Sequence, residues 1–175
     1  AFGAVLDFAP LEVGNHLFGA AITAGADRMT AAGAKGIPQI VSIGCYDLVD
    51  RVGWHPLPAH LEGLPGHAHN RLLSSVVLDA EGRRKVARAI MGKLAAAKGQ
   101  VVFLLPRKGG NEWDRAGGPL EDADGLAAFV TEVRLACPPN VRLVELDAHI
   151  NDPAFAEAAL AVVDAWIASG LLPKA

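Results

Sequence analysis

Two histidines two residues apart, in His67-Ala68-His69-Asn70, give this chain its most pointed chemistry. On an extended segment that spacing turns both imidazoles to one side, as acid–base sites and metal sites both require. His149, in Asp147-Ala148-His149-Ile150-Asn151-Asp152, supplies a further ring, while Asp7 and Asp47 supply carboxylates able to orient an imidazole. His69 and His149 are thus the candidate general acid–base residues, with Asp7 and Asp47 beside them. The bland alternative for a loop histidine is a hydrogen bond to backbone, and the spacing alone assigns no metal. A thiolate zinc site fits less well still, because Cys45 and Cys137 stand far apart. Cys45 reads either as a nucleophile near a histidine or as a small buried apolar residue.

A second motif suits an anion. In Arg107-Lys108-Gly109-Gly110-Asn111 a glycine-rich turn exposes backbone N–H groups and Lys108 adds a point charge. The spacing is neither that of a P-loop nor that of a dinucleotide fingerprint. Asn151-Asp152-Pro153 has the composition of a helix start, a capping side chain followed by proline at the first helical position. Trp54 and Trp113 fall in loops near these segments, placed to stack on a base or sugar or simply to pack.

The elements that must position these groups are legible from hydrophobic patterning. Four continuous apolar runs, at 3–8, 37–43, 100–105 and 141–146, have strand length and read as strands covered on both faces. Helical periodicity fills 79–98, 122–136 and the stretch from Pro153 to Gly170, with weaker helices at 10–18 and 27–35. In the helix at 79–98, Val86, Ile90, Met91 and Leu94 face inward, and Arg83, Arg84, Arg88 and Lys93 are expected outside. Strands alternating with helices predict an α/β fold: a doubly wound, mainly parallel, Rossmann-like sheet of four to five strands with helices on both faces. Residues 44–73 read as one long irregular loop, functional because so long, and no antiparallel sheet is expected. Every strand ends in polar residues. Asp7 and Glu12 follow the first, Gly44 and Asp47 the second, Lys108 to Asn111 the third, and His149 to Asp152 the fourth. Ligands of open α/β sheets gather at that edge.

Composition narrows the classes further. A length of 175 residues, with 51% apolar and 20% charged, makes a single well-cored domain and excludes disorder. A net charge of −3 excludes a basic field for nucleic acid, and no apolar run approaches the ~20 residues of a membrane span. Few cysteines point to a reducing, cytoplasmic setting. The start at Ala1, without methionine, suggests a piece of something longer.

Read together, the segments Leu6-Asp7, Leu11-Glu12-Val13, Asp27-Arg28-Met29-Thr30, Gly36-Ile37-Pro38-Gln39, His67-Ala68-His69-Asn70 and His149-Ile150-Asn151-Asp152-Pro153 resemble the Tm-1-like ATP-binding domain family. The likeness runs along nearly the whole chain in one order. It implies the C-terminal of two α/β halves, with ATP or another nucleotide, or a phosphorylated small molecule, shared with an N-terminal half of the same protein. Association into a homo-oligomer is expected as well. A divalent metal is left open. The chain departs from the family's pattern at Ala9-Pro10-Leu11, Leu48-Val49-Asp50-Arg51 and Gly109-Gly110-Asn111, where hydroxyls suited to phosphate are missing. Three readings follow. The first is a binding half-domain in which Lys108, Gly109 and Gly110 meet the anion, and Asp7, Asp47, His67, His69, Asn70 and His149 hold the polar body, with Glu12, Gly44, Asn111, Asn151 and Asp152 completing the wall. The second is an enzyme using the same cleft on a carbonyl or phosphate substrate. The third is a docking or dimerisation module without catalysis.

Overall fold

In the computed structural model, which describes residues 2–173, the four apolar runs become one sheet. In chain order the elements are β1 (Val5–Asp7), α1 (Leu11–Leu17), α2 (Thr30–Ala34), β2 (Gln39–Val41), β3 (Leu48–Val52), β4 (Gly66–Ala68), β5 (Leu73–Val77), α3 (Ala80–Ala95), β6 (Val101–Pro106), α4 (Ala123–Ala136), β7 (Val141–Leu146) and α5 (Pro153–Ala168). The main sheet has the order β1-β2-β6-β7, parallel throughout, with Asp7 beside Val41, Val41 beside Phe103, and Pro106 beside Leu146. The fold is α/β and Rossmann-like, as the alternation of strands and helices predicts.

Period-2 alternation divides the core between the two faces. Val41, Val101, Phe103 and Leu105 pack on one side against Val86, Ile90 and Leu94 of α3 and Phe129 and Val133 of α4. Ile40, Val102 and Leu104 point the other way, onto Phe155, Ala159, Val162 and Trp166 of α5. The strand order advances in one direction, so crossovers of a single hand leave α3 and α4 on the same face, and α5, after the last strand, covers the opposite one. Each fully buried large side chain here, Phe103 and Phe129 among them, contributes about 1.5–3 kcal/mol of burial free energy. Gly44, at the end of β2, admits the β1–α1 turn: a Cβ there would lie 2.5 Å from Phe8 O.

Three expectations need correction. Residues 44–73 are not one irregular loop: β3, β5 and β4 form a three-stranded antiparallel sheet, with Leu48 opposite Val77 and His67 opposite Ser75. Arg83 is not on the outside of α3 but only 1% exposed. Asp152 precedes α5 without capping it by its side chain, because its carboxylate is engaged elsewhere. Asp79 and Asp122 do cap their helices, accepting from Gly82 N–H at 2.7 Å and Gly125 N–H at 2.9 Å. No helix among the described residues is long and apolar enough to cross a membrane.

Candidate functional site

The register that sets Pro106 beside Leu146 brings the two polar strand-end segments side by side. They go on pairing past the sheet: Arg107 N–H donates to Leu146 O (2.9 Å), Lys108 N–H to Ala148 O (3.1 Å) and Ile150 N–H to Gly109 O (3.1 Å). Between these segments and the first turn of α4 opens a cleft of about 450 Å³. Tyr46 and Arg83 form its buried inner wall, and Arg107, Lys108 and Arg115 stand at its exposed rim.

His149 lies in the wall, 2% exposed. Asn151 N–H donates to its Nδ1 (3.1 Å), which leaves the ring proton on Nε2, directed between Asn111 O (2.8 Å) and Asp114 Oδ1 (3.0 Å). Both ring nitrogens are thereby committed to the frame. Asp114 also takes the turn's free donors, Oδ2 accepting from Gly110 N–H (2.7 Å) and Oδ1 from Asn111 N–H (3.1 Å). The anion held by the glycine turn is therefore the chain's own carboxylate. Asn111 is equally spent: Oδ1 accepts from Trp113 and Asp114 N–H (3.0 and 3.2 Å), and Nδ2 donates to Asp47 Oδ1 (3.0 Å).

Behind this frame sits a buried charge cluster. Asp47 is fully buried, and its Oδ2 faces Arg83 Nη2 at 3.6 Å; Asp122 Oδ2 lies 3.0 Å from the same nitrogen, and Arg83 Nε donates to Leu78 O (2.9 Å). Burial pushes the Asp47 carboxyl up to about 6, against the pull of Arg83. Asp152, at the rim, is held below the usual carboxylate range by the His149 N–H and then by Arg115.

The other candidate residues lie in separate clusters. Asp7 and Glu12 share Arg28, which donates two bonds to Asp7, one at 2.9 Å, and one to Glu12 at 3.1 Å. That partnership raises the guanidinium further above its ordinary value. His67 and His69 pack on Trp113, with ring centroids 4.4 and 4.7 Å away. His69 Nε2 is 2.9 Å from Ser75 Oγ, which donates to Asp50 (3.0 Å), itself held by Asn15 Nδ2 (3.0 Å). Asn70 closes the β4–β5 hairpin by accepting from Leu72 and Leu73 N–H (2.8 and 2.9 Å). Cys45 is pushed up to about 11, chiefly by burial, which keeps it a thiol rather than a nucleophile. Among the described residues no three His, Cys, Asp or Glu side chains converge as a metal cluster.

Of the candidate residues, Lys108, His149 and Asp152 line the cleft; Gly109, Gly110, Asn111, Asn151 and Asp47 stand behind it in the hydrogen-bonded frame, and Asp7, Glu12, Gly44, His67, His69 and Asn70 lie elsewhere. Sequence reasoning missed Tyr46, Arg83, Asp114 and Arg115. Arg83 had a signal: it stands four, seven and eleven positions before Ala87, Ile90 and Leu94, on the apolar face of α3.

The raised Asp47 carboxyl has a measurable consequence. The folded protein binds this proton more tightly than the unfolded chain, so the charge penalty is absent below about 4, grows through pH 4–6 and is complete above 6. Its upper bound is about 3 kcal/mol. Urea midpoints measured from pH 7 down to 4.5 should therefore show an Asp47 contribution that rises as pH falls, and Asp47→Asn should remove it. An identical pH profile in the variant would refute this account.

Residues 1–167 match the family described as Uncharacterised protein family (UPF0261) C-terminal domain. A UPF0261 protein of Brucella melitensis is 46% identical over 173 residues, which is 99% of this chain and 41% of that relative. A UPF0261 protein of Mesorhizobium japonicum is 32% identical over 91% of this chain and 41% of its own length. The ToMV resistance protein Tm-1 of Solanum lycopersicum is 28% identical over 93% of this chain, which covers 22% of it. The chain spans about two fifths of the bacterial relatives' length. With the match running from the first strand almost to the end of α5, the chain belongs to the UPF0261 C-terminal domain family.

Proposed function

We propose that this domain binds a phosphorylated small molecule, a nucleotide among the candidates, in the cleft beyond β6 and β7. The observation that carries the reading is the rim. Arg107 and Lys108 are paired there with Glu145 and Asp147 at 3.2–3.8 Å through half-exposed side chains, and Arg115 with Glu112 at 3.4 Å and Asp152 at 3.1 Å. Such exposed pairs are worth little, so these cations can exchange partners for a phosphate. The resemblance to an ATP-binding family supports a nucleotide. The bacterial relatives are more than twice as long as the stretch matched, and we assign their remainder the role of a second wall. The exposed edge strand β1, with Leu6 49% exposed, suits docking of such a half.

Acid–base work by His149 is disfavoured because both its nitrogens are hydrogen-bonded within the frame. One observation favours a catalytic second reading, centred instead on His69: Ser75 Oγ, whose own proton goes to Asp50, holds the ring at Nε2, so that Nδ1 is the nitrogen left to act as a base.

A thermal-shift and calorimetric screen of phosphorylated compounds tests the first reading. A ligand at a hundred times its Kd should raise Tm by about 5–10 °C. The Arg107→Ala/Lys108→Ala double variant should keep its own Tm within about 2 °C and bind about tenfold more weakly. Unchanged affinity in that variant removes the rim from the site, and turnover lost in His69→Ala with binding retained would establish the second reading.

A further inference from the structure

The small antiparallel sheet carries a polar row that the phosphate cleft does not use. Asp50 on β3 and His67 on β4 both stand opposite Ser75 on β5, so the three side chains share one face, and His69 reaches Ser75 from two residues further on. At the base of the row Asp50 is only 6% exposed. Asn15 Oδ1 accepts from Asp50 N–H at 2.8 Å, which leaves Asn15 Nδ2 to donate to Asp50 Oδ2 at 3.0 Å, while Ser75 Oγ–H donates to Oδ1 at 3.0 Å. Both carboxylate oxygens accept, yet none of the ion pairs formed by the described residues includes Asp50. Buried charges in proteins are paired with a counter-charge or coordinate a metal.

The hydrogen bonds fix where a cation would be met. Ser75 spends its proton on Asp50, so its oxygen accepts from His69 Nε2–H at 2.9 Å, and the lone pair of His69 sits on Nδ1. A metal-ligating imidazole is held in this way, its second nitrogen donating to an oxygen that sets tautomer and ring orientation. His67 brings the second imidazole, its ring centroid 5.4 Å from that of His69. At metal–nitrogen distances of about 2.1 Å, two imidazoles at a tetrahedral angle have centroids about 5.2 Å apart, so the spacing already suits a shared ion. Trp113 packs on both rings, at 4.4 and 4.7 Å, and restricts their rotation. His67 is half-buried and His69 exposed, which leaves the pair open to solvent.

We infer that His67 and His69 bind a divalent transition-metal ion of the zinc or nickel class, with the Asp50 carboxylate, acting through Ser75, as the negative charge behind it. Two imidazoles favour such ions over Mg²⁺ and Ca²⁺, which take oxygen ligands. The chain offers two ligands here rather than three, so the other positions fall to water or to donors of a bound molecule. The site lies off the lining of the phosphate cleft and does not depend on it. It uses the Nδ1 lone pair that the second reading gives to a base.

Titration of the metal-free 175-residue domain with Zn²⁺, Ni²⁺ and Mg²⁺, followed by calorimetry and tryptophan fluorescence, tests the inference. Zn²⁺ and Ni²⁺ should bind at about one ion per chain and Mg²⁺ should not. His67→Ala and His69→Ala should each weaken Zn²⁺ binding by about tenfold or more while keeping Tm within about 2 °C. His55→Ala, at an exposed histidine bonded to Pro56 O, should bind Zn²⁺ as the wild type does. Ni²⁺ quenches a nearby indole, so it should dim the wild type, and Trp113→Phe should keep the affinity but lose most of the quenching. Absence of Zn²⁺ binding, or affinity that survives either histidine variant unchanged, overturns the inference and leaves the phosphate reading standing. Quenching that persists in Trp113→Phe places the ion elsewhere and overturns it equally.

Discussion

Arg83→Met should lower stability by about 3–5 kcal/mol, the expected effect of stripping one partner from a buried ion pair, and Tm by about 6–20 °C. The guanidinium is the only cation in contact with Asp47 among the described residues, and the methionine stem would fill much of its volume without its charge. Asp47 would then remain buried with Asn111 Nδ2 as its one side-chain donor. Replacing the whole pair is far milder than breaking it, because hydrophobic or neutral substitutes carry no desolvation penalty. Arg83→Met/Asp47→Asn should therefore recover more than half of the loss, the asparagine carbonyl still accepting from Asn111. Denaturant melts of the single and double variants decide the matter. A double variant no more stable than Arg83→Met would show that the guanidinium acts through packing and its bond to Leu78 O rather than through charge.

The second large effect belongs to Gly109→Ala. Gly109 has φ +123°, a region that L side chains rarely adopt, and a Cβ there would press on Asp114 Oδ1 and lie 2.7 Å from His149 Cδ2. Displacing that carboxylate would orphan two donors, Gly110 N–H and Asn111 N–H, and leave His149 Nε2–H on Asn111 O alone. Backbone strain and unpaired buried donors together should cost about 3–5 kcal/mol. Gly117 supplies the control. It too has a positive φ, +78°, but a Cβ there meets nothing within 4 Å, so Gly117→Ala should cost only about 1–2 kcal/mol. Equal losses at the two positions would mean that the Asp114 contact contributes nothing.

Much of the fold was legible because its signals are local. Asp122 followed by Leu126, Phe129, Val130 and Val133 declares both the start and the face of α4, and Pro153 with Gly170 brackets α5. The antiparallel sheet was hidden by its own polar core. Asp50 and Ser75 interrupt the apolar patterns of β3 and β5, yet both are buried because they hydrogen-bond each other and Asn15. Arg83 failed for a related reason: its helical position says inside and its charge says outside, and the deciding carboxylates come from the turn after β2 and from the start of α4. Among the candidate site residues, those on the β6 and β7 ends were found because strand ends can be read directly. Asp114 was not, since its partners Gly110, Asn111 and His149 are assembled by a turn that no spacing announces.

The carboxylate seated in the Gly110–Asn111 turn also bears on how fast a ligand engages. A loop with idle backbone donors samples many shapes, and an arriving molecule must wait for a competent one. With Asp114 holding the turn, a ligand of the proposed kind would meet a loop already in one shape. On that reading association would be a one-step collision whose observed rate climbs linearly with concentration instead of levelling at a conformational limit, and differences between ligands would be expressed in how long each stays.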